Sequence, residues 1–191
     1  MAGFHDVVLV RHGETEWSAS GRHTSFTDLP LTARGRDEAR SLRARLATWD
    51  FSVVLMSPRQ RARDTCDLAG VAAHALVDDD LAEWDYGDYE GRTTAEIRQH
   101  DPGWTIFTED PPGGESAAEV SERADRVLAR ALDADGPVAL FSHGHFLRVL
   151  GARWIDLPAV DGRLLGLDTA TLCVLGHEHD ARVIRVWNSG V

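Results

Sequence analysis

A three-layer α/β/α sandwich around a mostly parallel central sheet is the fold that this sequence predicts. Two observations point to it. Short apolar runs end abruptly in polar clusters, and helical patterns follow them. The chain has 191 residues. That length suits one domain, residues 1–191, burying roughly 70% of its unfolded surface.

Val7 to Val10 reads as a buried strand that ends at Arg11-His12-Gly13-Glu14. Residues 18–30 are polar, without a clear period, and read as a loop. Thr32 is a helix cap. Ala39, Leu42, Leu46 and Trp49 then recur at helical spacing. Phe51 to Met56 reads as a second strand. Ser57-Pro58 is expected to cap the helix after it, which runs to about Ala69. Ala82 to Gly91 is irregular. Thr93 with Glu96, and Ser116 with Glu119, form capping boxes. The second box opens an apolar stripe of Val120, Ala124, Val127, Ala131 and Leu132. A third strand, Val138 to Phe141, ends at Ser142-His143-Gly144-His145. Thr171 to Leu175 and Arg182 to Trp187 read as a closing antiparallel pair.

Lys and Arg total 20 against 31 Asp and Glu, a formal charge of −11. That disfavours a nucleic-acid or anionic-membrane binder. No apolar run is long enough for a transmembrane helix, and Met1 to Asp6 shows no signal-peptide pattern. A soluble cytoplasmic protein is expected. Cys66 and Cys173 have no metal-site spacing and read as core. Trp17, Trp84 and Trp104 are candidates for a pocket wall, and Trp49, Trp154 and Trp187 for packing.

In open α/β sheets, sites gather beyond the carboxyl ends of the strands. Here those ends carry Arg11-His12, then Arg59 and Arg63, then His143. Guanidinium groups pair with phosphate oxygens. A histidine among arginines stays neutral and nucleophilic, provided that its other ring nitrogen is held. The carbonyl of Gly13 is the simplest local acceptor. Glu83 is the candidate proton donor, with Asp85 and Glu90 as rivals. His143 and His145 are two residues apart, but a metal reading is not favoured, and no cofactor is called for.

The chain resembles the histidine phosphatase superfamily, which includes the cofactor-dependent phosphoglycerate mutases. The resemblance rests on Leu9-Val10-Arg11-His12-Gly13-Glu14-Thr15, on Thr27-Asp28-Leu29-Pro30-Leu31-Thr32 with Gly35, and on Ser57-Pro58-Arg59 with Arg63-Asp64-Thr65. Gly113-Gly114-Glu115-Ser116 and Ser142-His143-Gly144 complete it. These blocks stand in family order across residues 7 to 150. The resemblance implies that His12 becomes phosphohistidine and that Arg11, Arg59 and His143, with Gly144, form the phosphate pocket. It implies Glu83 as proton donor and Arg63 as a brace from the next helix turn. Ser18 falls where the mutases carry an asparagine. Ser25 replaces a glycine, while Arg22, His23 and Thr24 fall at the substrate entrance.

The similarity is finest to small bacterial acid phosphatases of the superfamily, with sedoheptulose-bisphosphatases as an alternative. In that alternative His23 and His145 help to hold a remote phosphate or hydroxyl. A mutase is the other alternative, but only 29 residues separate Glu83 from Gly113 and 48 follow His143. That leaves little chain to cover a site and exclude water. A small phosphorylated metabolite is the expected partner, and a homodimer is within the family's habit. A phospholigand-binding protein without activity is the reading from a different class. It is disfavoured because His12, Arg11, Arg59, His143 and Glu83 are all present.

Overall fold

The computed structural model describes residues 4–190. Met1 to Gly3, the start of the stretch read for a signal peptide, lie outside them. In chain order the elements are β1 (Val7–Arg11), α1 (Glu16–Ser20), α2 (Ala33–Ser41), α3 (Arg43–Leu46), β2 (Val53–Met56), α4 (Gln60–Leu68) and β3 (Leu76–Val77). Then come α5 (Thr94–Ile97), α6 (Ala117–Leu132), β4 (Val138–Ser142), α7 (Gly144–Trp154), β5 (Leu172–Glu178) and β6 (Ala181–Ser189). Among the described residues, no helix is long and apolar enough to cross a membrane.

The six strands form one sheet in the order β3-β2-β4-β1-β5-β6. The first four in that order pair in parallel, and β5 and β6 add an antiparallel edge. Both faces are covered, so the strands are nearly continuous apolar runs, as buried parallel sheets require. Side chains alternate along β1. Val7 and Leu9 join the core with α6 and α7. Val8 and Val10 join the core with Leu42, Leu46 and Cys66 on the other face. The α/β/α sandwich is therefore the observed fold.

Four local expectations need correction. Residues 18–30 are not all loop, because Glu16–Ser20 is a short helix closed by a Thr15/Ser18 capping box. Its stability is local and leaves no apolar period to read. The Ala39-to-Trp49 pattern is two helices, broken at Leu42. Ser57 does not cap α4. Arg59 occupies that cap position without a side-chain bond, and the Ser57 hydroxyl turns to other partners. The two-residue strand β3 carries too little pattern to be seen. Both later capping boxes are present. Cys66 and Cys173 are buried, and burial pushes their thiols up to about 12 and about 11.

One close approach fixes the start of the site. Past β1, the backbone of Gly13 and Glu14 lies directly on Gly35 in the first turn of α2. A Cβ at Gly35 would collide with the backbone of Glu14, which cannot swing away. Thr32 Oγ1 caps Gly35 N at 3.0 Å, and Thr32 N bonds the Glu14 carbonyl at 2.9 Å. Gly35→Ala should cost about 1–3 kcal/mol of stability through overpacking. The urea midpoint of the purified variant measures it, and an unchanged midpoint would show that the contact is not rigid.

Candidate active site

Strand register assembles the site. Arg11 and Ser142 are partners on adjacent parallel strands β1 and β4. The residues just beyond them, His12 and His143, therefore emerge side by side. Their ring centroids are 5.1 Å apart. The His12 amide bonds the Ser142 carbonyl at 3.0 Å and locks the two strand ends.

The His12 ring is buried, with Nδ1 2.8 Å from the Gly13 carbonyl oxygen. A carbonyl can only accept, so Nδ1 carries the hydrogen and Nε2 keeps its lone pair. Gly13 N in turn donates to Thr65 Oγ1 at 3.0 Å. Burial holds the His12 pKa well below its usual value, and the positive fields of Arg61 and Arg11 push it the same way. The ring is neutral.

His143 is fully buried behind it. Arg61 Nε donates to His143 Nδ1 at 3.2 Å. Guanidinium has no acceptor, so His143 Nδ1 is bare and Nε2–H points to Ser57 Oγ, 2.7 Å away. Burial, followed by the charge of Arg61, keeps this ring neutral as well. Arg61 also donates to the carbonyls of Thr27, Thr24 and Ser25 at 3.0–3.2 Å. It is fully buried, although the sequence pattern points to Arg59 and Arg63 instead. Helical spacing held the signal. Arg61, Ala62, Thr65 and Cys66 are the buried face of α4.

Arg59 sits instead over the Phe26 ring, at 4.8 Å, outside the cavity wall. Its positive charge reaches His143 and Arg61. Arg63 is exposed on the opposite side of α4 and braces nothing in the pocket.

A cavity of about 210 Å³ opens in front of His12. Arg11, Ser18, Arg22, His23, Thr24, Glu83, Gly144 and His145 all line it. Arg11 donates to the Leu167 carbonyl and lies flat on Gly144, where a Cβ would meet its guanidinium carbon at 3.2 Å. Ser18 lines the cavity, but its hydroxyl is engaged with Thr15 in the α1 cap. Arg22 donates to the Gly91 carbonyl. Ser25 is buried behind the wall, its amide held by Glu90. Tyr86, Thr94 and Arg148 also line the cavity, and the sequence reading did not single them out. Trp17, Trp84 and Trp104 do not line it. Trp84 is core, packed edge-on against Phe107.

Glu83 is buried and also lines this cavity. Its carboxylate accepts from the amides of Trp84, His145 and Phe146 at 2.8–3.1 Å. The last two belong to the first turn of α7, whose positive dipole end favours an anion. Arg123 braces the loop by donating to the Ala82 and Glu83 carbonyls and to both oxygens of Glu115. The rivals are spent elsewhere. Asp85 bonds Gly87 N, and Glu90 bonds Ser25 N and Thr27 N.

The family model described as histidine phosphatase superfamily (branch 1) matches residues 7–190. The chain belongs to the histidine phosphatase superfamily. An acid phosphatase of Mycobacterium tuberculosis is 42% identical over 186 residues, covering 95% of this chain and 91% of that one. A sedoheptulose 1,7-bisphosphatase of Saccharomyces cerevisiae is 35% identical over 184 residues, covering 78% and 67%. A solved structure of an open reading frame product from M. tuberculosis has a TM-score of 0.93 at 42% identity, covering 97% of this chain and 98% of that one. This histidine phosphatase is thus an enzyme of the superfamily. Among the described residues, no group of three His, Cys, Asp or Glu side chains is placed to hold a metal ion.

Two measurements follow from the buried imidazoles. At pH 7, nitrogen NMR should show His12 as the neutral Nδ1–H tautomer, with no titration near 6.5. A ring that titrates at 6.5 would contradict the geometry. The stability of the fold should also depend on pH. Burial holds His12, His143 and His145 well below 6.5 and brings His23 down to about 4. Below pH 6.5 the unfolded chain takes up protons that the folded chain refuses, so stability falls as pH drops. From about pH 6.5 to 5 the loss is up to about 2 kcal/mol for each ring that stays neutral. Urea unfolding at the two pH values reads it.

Proposed function

We propose that this protein is an acid-phosphatase-type phosphomonoesterase that hydrolyses small phosphorylated metabolites through a phosphohistidine on His12. The observation that carries the reading is the His12 tautomer. With Nδ1 committed to the Gly13 carbonyl, the lone pair of Nε2 is the ring's only nucleophilic position. The names of the mycobacterial and yeast relatives support hydrolysis of a phosphate ester.

The Nε2 lone pair of His12 attacks phosphorus, and the bond from phosphorus to the ester oxygen breaks. Glu83, which lines the same cavity, gives its proton to the leaving oxygen. The negative charge on the transferring group is held by Arg11, with the field of Arg61 behind it, while His143, whose Nε2–H goes to Ser57, packs beside His12. Water then attacks the phosphohistidine while Glu83 accepts its proton. The N–P bond breaks, phosphate leaves, and His12 is neutral again. No step uses a metal or a cofactor.

Phosphate release should be measured between about pH 4 and 8 from 4-nitrophenyl phosphate, sugar phosphates, phosphoserine, nucleotides and both phosphoglycerates. His12→Ala should abolish release. Glu83→Gln should lower kcat by about 10²–10⁴-fold for substrates with poor leaving groups. The activity should follow a bell in pH, because the donor must carry a proton while His12 stays neutral. Since His12 is held well below 6.5, the acid limb of kcat/KM should lie below that value. Full release by His12→Ala, or activity rising steadily above about pH 9, would overturn the reading. Interconversion of the phosphoglycerates without release would mark a mutase.

A further inference from the structure

The Gly113-Gly114-Glu115-Ser116 block carries part of the resemblance, yet none of its residues lines the reaction cavity. Its contacts fall on the loop that carries Glu83. Glu115 N donates to the Asp85 carbonyl at 3.0 Å, and Asp85 N donates back to Glu115 Oε2 at 2.9 Å. Trp84 Nε1 donates to the Glu115 carbonyl at 2.9 Å.

Arg123, on α6, completes the frame. Its Nε and Nη2 fork onto the two oxygens of Glu115 at 2.7 and 2.8 Å. Nη1 donates to the carbonyls of Asp80 and Ala82, and Nη2 also to that of Glu83. Every N–H of the guanidinium thus has an acceptor. The same group lies 4.7 Å over the Phe146 ring, at the start of α7. The Arg123 and Glu115 side chains are only 12% and 22% exposed. On the outer side of the helix, Arg126 and Arg130 pair with Asp80 but are 52% and 42% exposed. Open pairs of that kind hold little, whereas an enclosed bidentate fork fixes geometry.

The frame reaches the Glu83 carboxylate from both sides. Trp84 N and Phe146 N both donate to Oε1, at 2.9 and 2.8 Å, and together they occupy its lone pairs. Oε2 receives only His145 N, at 3.1 Å, and keeps a lone pair free. Oε2 is therefore the oxygen on which Glu83 carries a proton. We propose that Glu115 and Arg123 are positioning residues for proton transfer: their enclosed ion pair sets the orientation of Glu83 and aims Oε2 at the leaving oxygen. This rests on the phosphatase reading, in which Glu83 is the donor. In the step concerned, the Oε2–H bond breaks and its electron pair stays on the carboxylate. The proton goes to the ester oxygen as that oxygen parts from phosphorus.

A misaimed donor costs rate only where the leaving group needs the proton. The test therefore compares kcat/KM, which reports the first step, for n-propyl phosphate and 2,4-dinitrophenyl phosphate. Glu115→Gln should lower it about 10–100-fold for the propyl ester, whose alkoxide leaves poorly. For the dinitrophenyl ester, whose phenolate leaves unaided, the fall should stay within about twofold. Arg123→Lys keeps the charge but cannot fork. It should show the same split, and it stands in if Glu115→Gln fails to fold. Glu115→Asp should regain part of the propyl phosphate activity. Arg126→Ala, on the same helix but in an exposed pair, should leave both substrates unaffected. In a Glu83→Gln background, Glu115→Gln should add little further loss, because the group it aims is gone. Equal losses on both substrates, or a full additional loss in that background, overturns the proposal. A split in Glu83→Gln without one in Glu115→Gln overturns the positioning and keeps the donor. No split in Glu83→Gln overturns both. The amide resonance of His145, bonded to Glu83 and to neither member of the pair, gives a readout independent of turnover. It should move in Glu115→Gln as in Glu83→Gln and stay in place in Arg126→Ala. If the wild-type enzyme releases phosphate from neither ester, the phosphatase reading falls, and this resonance still decides whether the pair orients the carboxylate.

Discussion

The buried guanidinium of Arg61 is the contact on which the rest of the site depends. Its hydrogen bonds reach three carbonyls in the loop after α1 and the imidazole of His143. One side chain thus joins α4, the Thr24–Thr27 segment and the end of β4. Those bonds also have an electronic consequence. The Nε donor strips Nδ1 of His143 of its hydrogen, which leaves Nε2–H as that ring's donor. Burial, and after it the same charge, holds both His12 and His143 neutral. A buried cation is costly unless its donors are satisfied. Here backbone carbonyls do the satisfying, so the charge is not cancelled by a carboxylate partner and its field reaches the imidazoles.

The Glu83 wall is organised by backbone as well. Glu83 sits on the first-turn amides of α7, the place where many α/β folds hold an anionic ligand. The carboxylate occupies the helix end, so in the proposed mechanism the transferring phosphoryl group relies on side chains instead. Arg11 lies flat against Gly144 at the start of that helix. His12 and Glu83 thus line one cavity with arginine on its walls, inside a chain of net charge −11. Glu83 is the one acidic side chain of that cavity wall among the described residues, against Arg11, Arg22 and Arg148.

Much of this was legible in the sequence because burial writes strong patterns. The β1, β2 and β4 runs are apolar throughout, and each stops at a polar cluster, which located His12 and His143. The Gly13 carbonyl was the nearest acceptor to His12, and it is the one used. The misreadings arose where residue type alone does not give direction. Arg59, Arg61 and Arg63 are chemically identical and two residues apart. Only the helical phase set by Ala62, Thr65 and Cys66 shows that Arg61 points inward. The Ser57-Pro58 pair, by contrast, suggests an earlier helix start and so favours Arg59. Ser18 aligns with an asparagine of the mutases, but the local cap of α1 claims its hydroxyl. Tyr86 and Arg148 come from segments with no sequence signal of convergence, and only the packing of α7 on the loop after Glu83 brings them together.

The order of strands in the sheet has a consequence for how the protein is made. β1 and β2 emerge first from the ribosome, yet they are not neighbours, because β4 lies between them. Besides β4, β1 pairs only with the late strand β5, and β2 only with the two-residue β3. His12 is therefore synthesised long before the strand that fastens it in place. His12, Arg11 and Arg61 reach their working positions only when Val138–Ser142 slots into the middle of the sheet. A nascent chain or proteolytic fragment lacking that strand has the reactive histidine but none of the enclosure. Catalytic competence is thus tied to closure of the whole sheet.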